Sequence, residues 1–215
     1  LALTSYLVAL GVFIPISGWM ADKFGAKRIF RLAILIFVLG SIACSFSSSL
    51  TAFVISRFLQ GMGGSMMTPI GRLVLVRSVP KSEFVSAMTL LTIPGLIGPM
   101  AGPPLGGFIT TYFSWHWIFI INVPIGLLGL ALVWRFVPDT REQAAGRLDI
   151  PGFLLSALGL TMLLAGLEAF TQGSAGLPLV AVLLAAGVVL GVAATWHFQR
   201  VANPLLDLSA FRLQT

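Results

Sequence analysis

The sequence predicts an all-α protein that crosses a membrane several times, and three observations carry that reading. Of the 215 residues, 57% are hydrophobic and only 9% charged, with a mean hydropathy of +0.99. A soluble domain carries about a quarter charged residues. The apolar residues gather into seven runs, each close to the ~20 residues that cover the hydrocarbon core of a bilayer. The basic residues fall almost entirely in alternate connections between those runs, as they do in membrane proteins of fixed orientation.

In chain order the runs lie near 1–20, 29–48, 51–71, 84–109, 117–137, 152–170 and 178–198. Lys23, Lys27, Arg28 and Arg31 follow the first, and Arg72, Arg77 and Lys81 follow the third. Arg135, Arg141 and Arg147 follow the fifth, and Arg200 and Arg212 follow the seventh. The connections around 47–51, 110–116 and 171–177 hold no Lys or Arg. All but Arg57 of the 13 basic residues are therefore on one side, which the positive-inside rule assigns to the cytoplasm. The excess of 13 basic over 7 acidic residues is a topology signal, and nucleic acid is not needed to explain it. Trp115, Trp117, Trp134 and Trp196 lie near run ends, where an interfacial aromatic belt is expected.

The sequence begins at Leu1, inside an apolar run and without a signal-peptide pattern. The expectation is a fragment whose N-terminus lies upstream. Val137 to Asp149 is the longest polar stretch and the expected internal boundary. The single Cys44 excludes a disulfide framework. His116 and His197 stand at run ends without Cys, Asp or Glu at ligand spacing, so no metal site is expected. No nucleophile–base pair or phosphate loop is present, so nothing points to an enzyme.

The fourth run contains the stretch Thr89 to Phe108, with five glycines and four prolines in 20 residues. Gly98, Gly102 and Gly106 recur every four residues and share one helix face, a groove that admits a second helix. Pro94, Pro99, Pro103 and Pro104 remove backbone donors and predict a bent, pliable helix.

The connection Gly18–Arg28 reads GWMADKFGAKR. Gly25 suits a turn with φ > 0 after a helix end. Asp22 reads in two ways. It anchors an interface by pairing with a cation or capping a helix, or it is one residue of a solvated loop. In the third run Arg57, Gln60, Gly61, Gly64, Ser65 and Thr68 form one polar or small stripe at helical spacing. An intramembrane Arg costs ~2.5 kcal/mol or more at a helix centre, which favours a functional, cavity-facing group over an interfacial anchor. Glu168 lies at the outer end of the sixth run and reads as an interfacial carboxylate more readily than as a proton site.

These residues also match a family. Gly18-x-x-x-Asp22-Lys23-x-Gly25-x-Lys27-Arg28 resembles the signature between the second and third helices of the major facilitator superfamily, with Ala26 where Arg is usual. Arg57-x-x-Gln60-Gly61 is similar to its fourth-helix pattern, and Gly98-Pro99-x-x-Gly102-Pro103-x-x-Gly106-Gly107 to the fifth-helix signature of antiporters, with Thr89 where the longer form has Gly. Trp115-x-Trp117-x-Phe119-x-x-Asn122-x-Pro124-x-Gly126 resembles the sixth-helix entry of the fourteen-helix drug:proton antiporters of the EmrB/QacA-like branch. The tail from Pro204 through Asp207 and Phe211 to Arg212 resembles the loop before their ninth helix.

The resemblance implies a fragment holding spans two to eight of such a protein. Residues 1–137 would be the N-terminal bundle lacking its first span, and 138–151 a cytoplasmic linker. Residues 152–198 would be two extra central helices, and 199–215 a cytoplasmic loop towards a C-terminal bundle. It further implies an inner (plasma) membrane efflux transporter for lipophilic compounds, with the proton as coupling ion and no other cofactor. Arg57, Gln60 and Gly61 would serve proton coupling and the cavity. Asp22 with Lys23 and Arg28 would latch the cytoplasmic side, and the glycine face of the fourth run would seal against a C-bundle helix. The implied partners are the bilayer, the C-terminal bundle and, in a Gram-negative source, a periplasmic adaptor. A metabolite facilitator of the same fold, a membrane-embedded enzyme and a transport-inactive sensor are the alternatives.

Overall fold

The computed structural model describes residues 1–139, 146, 148–173, 176–201 and 204–205. Arg141, Arg147, Asp207, Phe211 and Arg212 lie outside the described residues. The described chain is a row of helices: α1 (Ala2–Phe24), α2 (Ala26–Ser45), α3 (Leu50–Ser78), α4 (Phe84–Tyr112), α5 (Trp117–Ile120), α6 (Asn122–Phe136), α7 (Ile150–Gln172) and α8 (Leu177–Phe198). No strand occurs among the described residues. With α5 and α6 counted as one span, six helices are long and apolar enough to cross a membrane. The seventh, α3, has 29 residues, or about 43 Å of rise, but is more polar.

Several boundaries differ from the apolar runs, for one reason. A helix satisfies its own backbone hydrogen bonds, so it continues past the end of its apolar stretch. Helix α1 runs on to Phe24 and α3 to Ser78. Lys23, Arg72 and Arg77 are therefore on helix ends, while Lys27 and Arg28 open α2. The first basic connection shrinks to Gly25, at φ 94°, whose N–H donates to the Ala21 carbonyl at 2.9 Å. A side chain would be strained in that conformation. The fifth run is interrupted at Ile121, between α5 and α6. Pro124 cannot donate to the Ile120 carbonyl, so the ladder breaks there. Helix α4, in contrast, remains helical from end to end through its prolines.

Capping follows local sequence. The Ser49 hydroxyl accepts from Ala52 N–H at 3.2 Å to open α3. The Asp149 carboxylate accepts from Gly152 N–H at 2.9 Å to open α7. These are the acceptors that orphan N-terminal donors require.

The core lies where α1, α2 and α3 meet. Ala21, Ala26, Ile29, Ala33, Met66 and Ile70 form one buried cluster, and α6 adds Val133 to Ile34 and Val38 in a second. Small residues bring the backbones together. A Cβ on Gly40 would lie 2.6 Å from Gln60 N, and one on Gly61 would lie 2.7 Å from the Tyr6 carbonyl. Such close approach is how helices associate in lipid, where apolar side chains gain nothing by leaving the hydrocarbon. Helices α7 and α8 pack as a pair, and α7 lies against α1.

Candidate functional site

Helix α3 carries the polar residues into the core. Arg57 lies seven residues beyond Leu50, about 10 Å along the helix. Its Nη1 donates to Gln60 Oε1 at 2.8 Å. Gln60 Nε2 donates to Ser41 Oγ at 2.7 Å, and the Ser41 hydroxyl donates to the Phe37 carbonyl at 2.9 Å. Gln60 is 2% exposed and Ser41 fully buried, so each bond replaces water the interior cannot supply. The guanidinium lies 5.0 Å from the Tyr6 ring and 5.3 Å from the Phe119 ring, where aromatic quadrupoles stabilise a cation. No carboxylate pairs with Arg57 among the described residues. Its buried Nε has no hydrogen-bond partner there either. A cation held about 10 Å into the helix, with no carboxylate partner among the described residues, can attract an anion or shift the titration of an acid brought beside it.

The basic ends of α1 and α3 are tied by a second contact. Arg77 Nη2 donates to Asp22 Oδ1 at 2.7 Å. The resemblance groups Asp22 with Lys23 and Arg28; the fold adds Arg77 as its ion-pair partner. Asp22 and Lys23 are adjacent on α1, and adjacent side chains point apart. Lys23 lies over the Trp19 ring at 4.5 Å and the Phe24 ring at 5.7 Å. Gly18 has open space at its Cβ position.

On α4 the residues Gly98, Gly102, Gly106 and Gly107 meet nothing within 4 Å of an added Cβ, and Pro99 and Pro103 are exposed. The glycine face is thus present and uncovered among the described residues. The sixth-helix group divides. Phe119 is buried at 7% exposure and meets Phe53 edge-on at 5.6 Å, which places it under Arg57. Gly126 is filled by Val38 of α2. Asn122 Nδ2 donates to the Ile118 carbonyl at 3.4 Å. Trp115 stacks on His116 with ring centroids 3.8 Å apart, Trp117 is half exposed, and Pro124 lines an apolar pocket between α4 and α6. A cleft of about 540 Å³ opens between α2, α3 and α4, lined by Phe30, Met67, Thr68, Arg72, Leu91 and Thr92 among others. That volume suits a drug-sized molecule.

Three participants escaped the sequence reading. Arg77 is 55 residues from Asp22, and Tyr6 reaches Arg57 from another helix. His197, expected to stand alone, donates from Nε2 to Asp149 Oδ1 at 2.8 Å. Local spacing holds no signal for any of these pairs. Glu168 accepts from Gln172 Nε2 at 2.8 Å.

A bundle of span-length helices, joined through small residues around a buried polar network, defines a multi-pass membrane protein. The Major Facilitator Superfamily model matches residues 1–207, and the chain belongs to that superfamily. Three bacterial relatives carry the name multidrug resistance protein MdtD, as a provisional designation. The relative from Serratia proteamaculans (strain 568) is 43% identical over 217 residues, covering 99% of this chain and 44% of that protein. The one from Pectobacterium atrosepticum is 42% identical over 215 residues, with 99% and 46% covered. The one from Escherichia coli O81 (strain ED1a) is 42% identical over 216 residues, with 100% and 45% covered. The chain therefore spans just under half the length of these curated relatives.

Proposed function

We propose that the chain is part of a proton-coupled exporter of lipophilic toxic compounds that works by alternating access, of the fourteen-helix drug-antiporter type. The observation that carries this reading is Arg57. Its guanidinium is held by Gln60, Tyr6 and Phe119 but has no carboxylate partner among the described residues. A carboxylate brought within ~4–6 Å of it would hold its proton less tightly, and one moved away would take the proton back. Alternation between two such arrangements couples proton flux to substrate movement. The relatives' names support drug export, and the cleft beside α3 and α4 offers apolar walls of suitable size.

In this reading the basic helix ends face the cytoplasm across the inner (plasma) membrane. Asp22 and Arg77 form the latch, Gly25 lets the chain turn there, Gly18 lies about one helical turn before Asp22 on α1, and Lys27 and Arg28 hold the orientation. The uncovered glycine face of α4 seals against a helix of a C-terminal bundle. Residues 1–137, 138–151, 152–198 and 199–215 act as N-terminal bundle, linker, central helices and exit loop. A periplasmic adaptor is a partner to look for in a Gram-negative source.

The test is Arg57→Gln in the full-length protein, with proton-driven efflux measured in vesicles. Loss of gradient-dependent efflux at normal expression is expected. Normal coupled transport rejects the assignment of Arg57.

A further inference from the structure

The clearest construction outside the Arg57 network surrounds Asp149, whose side chain is 3% exposed. A carboxylate is that deeply buried only when several donors replace its water. Helix capping needs one acceptor, and the Gly152 N–H supplies that bond at 2.9 Å. Asp149 has two further partners from different parts of the chain. His197, on the last turn of α8, donates to Oδ1 at 2.8 Å, and Leu205 N–H donates to Oδ2 at 3.4 Å. Burial pushes the Asp149 pKa up, but the bonds from Gly152, His197 and Leu205 outweigh it and leave the pKa below the usual carboxylate value. The ionised carboxylate can only accept, so His197 Nε2 carries a proton in this arrangement. The neighbouring sequence makes room for the convergence. A Cβ on Gly152 would lie 2.5 Å from the Phe198 ring and collide with Asp149 itself.

A second bond fastens the same segment to the N-terminal helices. Trp19 Nε1 of α1 donates to the Gly146 carbonyl at 2.9 Å, three residues before Asp149. Trp19 is the ring beneath Lys23, next to the Asp22–Arg77 pair. Deeper in the bundle, Leu160 of α7 occupies the space that Gly11 of α1 leaves open.

We propose that Asp149 is a positioning residue, the clasp that closes the basic end of the α7–α8 hairpin and, with the Trp19–Gly146 bond, straps the hairpin to α1. The two central helices then move with the helix that carries Asp22, as one body. A merely structural cap would need neither the α8 partner nor the strap.

The experiment uses the full-length protein in proteoliposomes. Nitroxide labels are placed at two exposed positions, Phe24→Cys on α1 and Gln199→Cys after α8; Cys44 is fully buried and stays unlabelled. Electron–electron distances are recorded with and without a proton gradient. One narrow distance, unchanged by the gradient, is expected. Asp149→Asn should raise a separated population about tenfold, the loss expected for a hydrogen bond to a buried charged group, and Trp19→Phe, which removes an exposed neutral bond, should raise it about threefold. His197→Ala, which leaves the α7 cap in place, tests the clasp should Asp149→Asn fail to insert, and His197→Gln, which keeps a donor, should restore the narrow distance. The proposal is overturned by a parent distance that changes with the gradient, by unaltered distances in the loss-of-bond variants, or by His197→Gln behaving as His197→Ala. The readout is a distance and does not depend on what is transported.

Discussion

Helices α3 and α4 are each 29 residues long and each studded with glycine, yet they are used in opposite ways. Helix α3 buries Ser56, Gln60, Gly61, Gly63, Ser65, Met66 and Ile70. Helix α4 buries none of its described side chains, and its glycines at 95, 98, 102, 106 and 107 face open space. Among the described residues the more polar helix is covered and the more apolar one uncovered, the reverse of a soluble protein. In lipid, polar groups must find partners within the protein, whereas apolar side chains are at no disadvantage in hydrocarbon. A glycine row permits close approach without causing it. On α3 the permission is used by α1 and α2, and on α4 it remains unused among the described residues.

The sharpest way to break this comparison is to insert the same side chain into both rows. Gly63→Leu would drive a side chain into the backbone of Phe37 and Ala33, where overpacking costs ~1–3 kcal/mol or more. It should abolish monodisperse protein on heated size-exclusion chromatography. Gly102→Leu, with nothing near it, should leave that profile unchanged and reduce efflux in the full-length protein. Equal loss of folded protein from both would remove the distinction between the rows.

Next in size is the network of α3. Gln60→Leu deprives Arg57 of its acceptor and Ser41 of its donor, and leaving buried polar groups unpaired costs ~1–3 kcal/mol each. Thermal unfolding in detergent should fall clearly. Leu96→Ala, at an exposed position on α4, should change it by less than about 0.5 kcal/mol.

The pair at the basic end should give a smaller effect on stability and a visible one on transport. Asp22→Asn and Arg77→Gln should each slow efflux without preventing insertion. Because the two side chains share one bond, the double variant should be less than additive, by an interaction energy of ~0.5–3 kcal/mol. Strict additivity would show that the 2.7 Å contact carries nothing.

The smallest expected effect is a pH dependence. The folded-state pKa of Asp149 is depressed, so its contribution is fully present above the unfolded carboxylate value and is lost as pH falls through the folded one. Melting temperatures across mildly to strongly acidic pH should show this loss in the parent and its reduction in Asp149→Asn. A parallel pair of curves would refute it.

The sequence by itself determined the membrane class, the seven apolar runs, the placement of basic residues in alternate connections and the superfamily. The first three follow from composition, from the length that crosses a bilayer and from charge placement, and the superfamily from the motifs that resemble it; all of these are one-dimensional. It also marked Arg57 and Gln60 as neighbours, since three residues along a helix share a face. Helix ends were less legible, because helical hydrogen bonding continues beyond the apolar stretch that marks it in the sequence. Only the tertiary structure decided the partners: Arg77 for Asp22, Ser41 for Gln60, Tyr6 and Phe119 for Arg57, His197 for Asp149. Each pair joins residues well apart in sequence, on different elements, and side-chain bonds at that range depend on how helices are juxtaposed. The same physics separated two glycine rows that read alike: spacing determines where a helix can approach, and the surrounding fold determines whether one does.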